Sequence, residues 1–341
     1  MTSTRILLER ITARVFCHGS GGHGGNPVTV FSSSVPLSAS TRERLAKSCE
    51  WESVMVSLPN MNDETDATEH SPQSNISTLA FYMPSGTAVS FCAHAALGAA
   101  FATLTTRKEW GNEFVFQSLP VGTTDNASSQ QQTIQISSLE NETMGSARLH
   151  MTTSFEETPV SHPPGLYRTL RGHLGVGSEH LVNKGKQYPT MVNSSIARPK
   201  TLVYVNSTRA VHEARQPKVV TDTTTTTTEG NPHRNSFATA CGAIDDSTGI
   251  YLYSTKEDEE GAWECRQFPR ASGYPEDPAT GIAAAALAGS LYKNGVYLPV
   301  YKFYQGTAMQ RPSLIEVLDF RMPETNHVSF TLQGRIEIDS R

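Results

Sequence analysis

Tyr274-Pro275-Glu276-Asp277-Pro278-Ala279-Thr280-Gly281-Ile282, followed at once by Ala283–Tyr292, decides the fold. Asp277 stands where a helix N-cap is expected, Pro278 at the first helical position, and Asn294-Gly295 supplies the stop. Between those limits the residues are almost all Ala, Gly, Leu and Ile, apolar on every side. A helix of that kind is buried all round, and its small side chains let strands approach closely. Its N-terminus then lies inside the protein with unpaired N–H groups and the positive end of a dipole, a site prepared for an anion, with Glu276 and Asp277 beside it.

The pattern occurs once before. Met83-Pro84-Ser85-Gly86-Thr87-Ala88-Val89-Ser90-Phe91-Cys92-Ala93-His94 leads into Ala95–Leu104, again small and apolar. Phe268-Pro269 precedes Asp277 by the interval that separates Pro84 from Cys92. Each copy reads as a strand ending near a proline, a turn, then a buried helix. Two copies imply a duplicated, pseudo-symmetric protein rather than a solenoid, which needs more repeats.

With these residues the chain resembles the PhzF-like proteins, the phenazine-biosynthesis isomerase family that shares the diaminopimelate epimerase fold. Four blocks carry the likeness in order: Gly24-Gly25-Asn26-Pro27-Val28, Trp51-Glu52-Ser53-Val54-Met55-Val56, Cys92-Ala93-His94-Ala95 and Glu276-Asp277-Pro278-Ala279-Thr280-Gly281. Gln305-Gly306-Thr307-Ala308-Met309-Gln310-Arg311-Pro312 is similar to the family's closing segment. The resemblance implies an α+β fold of two pseudo-symmetric domains, each a curved, mostly antiparallel sheet wrapped round a central helix. The expected domains are 1–155, completed by 325–341, and 160–324, with Pro159–Pro164 as an irregular connection.

Composition narrows the function. The chain has 341 residues, enough for two ordinary domains, with 37% hydrophobic and 18% charged residues. A net charge of −5, with no basic cluster interleaved with aromatics, argues against nucleic-acid binding. The longest apolar run is too short and small-sided for a bilayer, and Met1–Arg14 has no signal-peptide core. Cys17, Cys49, Cys92, Cys241 and Cys265 are an odd, scattered set without a CxxC pair, which fits neither a disulfide framework nor structural zinc. The reading is a cytoplasmic protein, and the Asn-x-Ser/Thr sequons, Asn75 and Asn206 among them, are coincidental.

Elsewhere, Ala238–Ile244 reads as a strand, as do Ile11–Phe16, Ser53–Ser57, Gly249–Ser254 and Ala262–Phe268. Gly122–Gln132 and the threonine-rich Asp222–Arg234 read as surface loops. Gly19–Gly25 lacks the Lys-Ser/Thr of a phosphate loop and the spacing of a dinucleotide fingerprint. His18 and His23 find no partners that complete a metal-ligand set.

Glu52 is the first candidate for chemistry, at the head of an apolar stretch where desolvation suits a group that both takes and returns a proton. Glu50 is its solvated neighbour. The resemblance places Glu52 at the family's catalytic acid/base, and His94 and Asp277 at positions that bind substrate, where the pair would assist Glu52 by hydrogen-bonding the substrate and holding its protonation state. It places Gly281, Ile282, Ala93 and Asn26 at substrate-binding positions, Gly281 and Ile282 through backbone N–H groups. Ile282 replaces the family's usual Ser and Ala93 its Gly, which turns the expectation away from a dihydroxyanthranilate-type substrate. Cys92 matches one of the two cysteines of diaminopimelate epimerase and proline racemase, but the second copy offers Asp277 or Pro278 where the other stands. Two-thiol racemisation is therefore disfavoured, and Cys92 is expected to be a small buried residue. The expectation is a homodimeric isomerase without cofactor or metal, acting on a small carboxylate-bearing molecule between its domains. A cyclase or lyase using the same site, or a non-catalytic binding protein, are the alternatives.

Overall fold

The computed structural model describes residues 8–19, 23–59, 76–121, 131–182, 190–218, 236–270 and 272–339. Asp222–Arg234 and most of Gly122–Gln132 lie outside them, as does Asn75. The chain forms two compact units, one of Met1–Cys17, Pro27–His150 and Gln333–Arg341, the other of His18–Asn26 and Met151–Leu332.

The first unit holds β1 (Leu8–Val15), β2 (Asn26–Ser33), α1 (Ala39–Ala46), β3 (Ser53–Ser57), β4 (Ser77–Tyr82), the short β5 (Ala88–Val89), α2 (Ala93–Thr106), β6 (Glu113–Ser118), β7 (Gln132–Asn141) and β8 (Met144–Ser154). Its sheet runs β1-β2-β3-β4-β6-β7-β8 and then the chain's last strand, His327–Ile338, which returns to β1 with Ala13 opposite Ile338. The sheet thus closes into a barrel round α2, which is buried from Ala93 to Leu104 and packs on β1, β3, β6 and β7. The small residues explain how. A Cβ at Gly98 would stand 2.6 Å from Val28 Cγ1, so nothing larger than glycine lets β2 come so near the helix.

The second unit adds β9 (Glu156–Pro159), α3 (Pro163–Thr169), β10 (Met191–Ile196), β11 (Arg198–Tyr204), α4 (Thr208–Glu213), α5 (Phe237–Gly242), β12 (Gly249–Thr255), β13 (Ala262–Pro269), α6 (Gly281–Lys293), β14 (Val300–Gln305), β15 (Ser313–Glu324) and the last strand, β16. The sheet order is β16-β15-β14-β13-β12-β11-β10-β9. One face packs on α6 through β10, β11 and β15. The other carries a core of Val203, Val205, Ile250, Leu252 and Phe268 against Leu166, Val211 and Phe237.

The two units repeat one plan. Parallel pairs are few, and they recur in order: β2 with β3 and β4 with β6, then β11 with β12 and β13 with β14. A parallel pair needs a crossover, and in each unit the crossover between the later pair is the buried helix, α2 or α6. The α+β fold of two pseudo-symmetric domains, each a mostly antiparallel curved sheet round a helix, is the observed one.

Three local expectations are corrected. Ala238–Ile244 is not a strand: α5 covers it, because the Ser236 hydroxyl accepts from Thr239 N as a helix cap and Phe237 and Cys241 both enter the core. Pro159–Pro164 is irregular only over 160–162, since Pro159 ends β9 and Pro163 and Pro164 open α3, where missing N–H groups cost nothing. Finally, α6 begins at Gly281 with Thr280 as its N-cap, three residues beyond the expected Asp277. Among the described residues no helix is long and apolar enough to cross a membrane.

Candidate active site

In the second unit, hydrogen bonds fix the backbone on both sides of Asp277. Its N–H donates to Gln267 O at 3.0 Å, and its carbonyl accepts from Gln305 Nε2 at 2.6 Å. Gln305, which is fully buried, also accepts from Thr280 N at 3.3 Å and from the Tyr251 hydroxyl at 3.2 Å. The loop before α6 is therefore held by a satisfied side chain rather than by regular ladder bonds.

The Asp277 carboxylate gathers donors instead of capping the helix. Oδ1 accepts from Asn26 Nδ2 at 2.7 Å and Ala279 N at 3.4 Å, and Oδ2 accepts from the Thr280 hydroxyl at 2.5 Å. Asn26 Nδ2 also donates to Ala279 O at 2.7 Å. With two acceptors on its NH₂ group, Asn26 has one amide orientation open to it. Glu276 is not part of this group. Its carboxylate is bound by both arms of Arg266 at 2.7 and 2.6 Å, and by Gln216 Nε2 at 2.9 Å, with the Glu276 side chain wholly buried.

The first N–H groups of α6 stand next to Asp277. Ala283 N and Ala284 N both bond to Thr280 O, at 3.1 and 3.0 Å. For Gly281 N and Ile282 N there is no acceptor among the described residues. A helix N-terminus with unclaimed donors attracts a carboxylate through both hydrogen bonding and the dipole. Ile282 is half-buried among fully buried neighbours. The structure thus brings Asn26, Asp277, Gly281 and Ile282 together.

In the first unit, α2 starts at Ala93 with Cys92 as its N-cap, and Ala93 and His94 are both buried. Cys92 is not the small buried residue expected: it is half-buried, and its Sγ lies 3.2 Å from His94 Nδ1. Glu52 is 6% exposed while Glu50 is exposed. The carbonyl of Glu52 accepts from Thr29 N at 3.1 Å, which locks it to β2 just before β3 begins. Since α2 packs on β3, Glu52, Ala93 and His94 belong to neighbouring elements of one barrel.

Sequence reasoning missed Gln305, Gln267 and Lys200. Gln305 opens the block that resembles the family's closing segment, and that was its only signal. None of the five cysteines is in a disulfide, and His18 packs its ring edge on Tyr304. Among the described residues no cluster of His, Cys, Asp or Glu could hold a metal ion.

A model of the phenazine biosynthesis-like (PhzC-PhzF) family matches residues 177–335, the span that holds Asp277, Gly281, Ile282 and Gln305. The resemblance to the PhzF family holds. Among solved structures, a PhzF-family phenazine biosynthesis protein from Bacillus anthracis superposes with a TM-score of 0.67 at 15% identity, covering 97% of this chain and 98% of that one. A protein from Pseudomonas aeruginosa described as a predicted epimerase gives 0.65 at 18%, covering 99% and 98%. A hydroxyproline epimerase from Agrobacterium vitis, solved with trans-4-hydroxy-L-proline, gives 0.52 at 13%, covering 100% and 92%. At such identities the PhzF-like and epimerase neighbours establish a shared fold. No curated protein sequence matches the chain.

Proposed function

We propose that this PhzF-like protein is an isomerase that needs no cofactor and moves a proton on a small carboxylic acid. The observation that carries the reading is the group at the start of α6. Two unclaimed N–H groups on Gly281 and Ile282 adjoin a carboxylate, Asp277, that Asn26 and Thr280 hold in one orientation. The substrate carboxylate binds those N–H groups. Glu52, buried at the head of β3, takes a proton from a substrate carbon and returns it at another position, and a desolvated carboxylate is suited to both steps. His94 and Asp277 bond the substrate's polar groups and hold its protonation state. Ala93 and the half-buried Ile282 favour a less polar ligand than a dihydroxyanthranilate. The epimerase neighbours support the reaction class, and the family match supports the site in the second unit.

The test is hydrogen exchange. Small carboxylic acids, cyclic dienoic acids and hydroxyproline among them, are incubated with the protein in ²H₂O and followed by NMR. Glu52→Gln is expected to melt at the wild-type temperature and to lose about 10²-fold or more of the C–H exchange rate. A variant that exchanges as fast as the wild type refutes the assignment.

A further inference from the structure

Lys200 is a charged side chain of the second unit that this reading leaves unused. It stands on β11, 8% exposed, with no hydrogen bond or ion pair to its ammonium among the described residues. Lysine is rarely buried so far without a partner. Burial pushes its pKa down to about 8; Arg198 acts the same way, while Asp277 and Cys241 oppose.

Strand register identifies its neighbours. Lys200 lies opposite Ser194, whose hydroxyl donates to Ala286 O on α6 at 3.1 Å, so both side chains are on the α6 face. Leu202, two residues further along β11, pairs with Tyr251, and Tyr251 with Gln267. Lys200, Tyr251 and Gln267 therefore share that face. Gln267 is 1% exposed, and neither Nε2 nor Oε1 has a hydrogen-bond partner. Its Nε2 lies over Gly249, only 2.2 Å from where a Cβ would stand. Gly249 precedes Ile250, the register partner of Thr201, so Lys200 flanks the same glycine from β11.

A lysine only 8% exposed and a buried amide, neither with an acceptor among the described residues, form half of an ion-pair site. Among the described residues no side chain bonds to either, although the Asp277 carboxylate is close enough to act on the Lys200 charge. Tyr251 donates its hydroxyl to Gln305, α6 offers no ionisable side chain before Tyr292, and Asp277 already accepts from Asn26, Ala279 and Thr280. We propose that Lys200 and Gln267 are a second anchoring point for an anionic group, and that the substrate is a small dicarboxylic acid. One carboxylate sits at the N–H groups of Gly281 and Ile282, the other at Lys200 Nζ and Gln267 Nε2. The inference rests on the proposed acid-binding reading and narrows its substrate class.

Succinate and butyrate, which share a chain length and differ by one carboxylate, are titrated into the full chain by calorimetry at neutral pH. The wild type binds succinate about tenfold or more tighter, the scale of a charge-assisted pair. Lys200→Met and Gln267→Met each cut that preference to about twofold or less, while Lys200→Arg keeps it. Raising the pH past about 9 removes it from the wild type, whose ammonium is then lost, but not from Lys200→Arg. Equal binding of the two acids by the wild type, or a preference that survives Lys200→Met, overturns the inference. Gln267→Met decides the matter should Lys200→Met not fold. Failure here leaves the Glu52 exchange test untouched, so the two readings fall separately.

Discussion

Replacing Arg266 by Met tests whether the segment ahead of α6 is held by a buried ion pair. Arg266 and Glu276 have side chains only 4% and 0% exposed, in a two-pronged contact. The variant leaves the Glu276 carboxylate in the interior with Gln216 as its remaining partner. It also removes the donor to the carbonyls of Val211, His212 and Ala214. Breaking one side of a buried pair costs about 3–5 kcal/mol, and the three orphaned carbonyls put the expectation at the upper end. For a unit of this size about 4 kcal/mol corresponds to a melting temperature lower by roughly 10 °C. Urea unfolding followed by Trp263, buried on β13, in a Trp51→Phe/Trp110→Phe background reports the second unit. Arg266→Met/Glu276→Met, which replaces the pair by apolar chains, is expected to be more stable than Arg266→Met alone. A single variant that loses less than about 1 kcal/mol, or a double variant less stable than the single, refutes the reasoning.

Other outcomes follow from particular residues. Burial pushes the Lys200 pKa down to about 8 in the fold, against an ordinary 10.5, so the unfolded chain holds the extra proton across that window and stability rises with pH there. Below it the penalty is fully present, and Lys200→Met is expected to stabilise by up to about 3 kcal/mol at neutral pH, a gain that vanishes by the unfolded pKa. A pH-independent difference between the two proteins argues against a buried ammonium. Iodoacetamide mapped by mass spectrometry is expected to modify Cys92 first, since burial pushes the thiols of Cys17 and Cys241 up to about 12 and about 11; equal labelling contradicts this. Gly306→Ala is expected to cost about 2–4 kcal/mol and to weaken acid binding. Its φ is +78°, and a Cβ would meet Arg311 O at 2.2 Å and Pro278 O at 2.8 Å. A calorimetric trace like the wild type's would show that the loop adapts.

The sequence alone determined the duplicated plan. An apolar helix flanked by turn residues needs no long-range information to be read as buried, and α2 and α6 follow that reading with ends shifted by a few residues. Glu52, His94 and Asp277 are candidates read from the blocks around them; all three are buried, while Glu50 is exposed. The tertiary structure decided what each polar side chain near α6 is bound to. Glu276 and Asp277 are adjacent and alike in charge, yet one is locked to Arg266 and the other gathers Asn26 and Thr280. Lys200, Gln267 and Gln305 come from three strands with no common motif, and only sheet register sets them on the face that covers α6. Helix burial is encoded in a contiguous run of small apolar residues, whereas a hydrogen-bond partner is chosen by which strand lies alongside, and that depends on the whole fold.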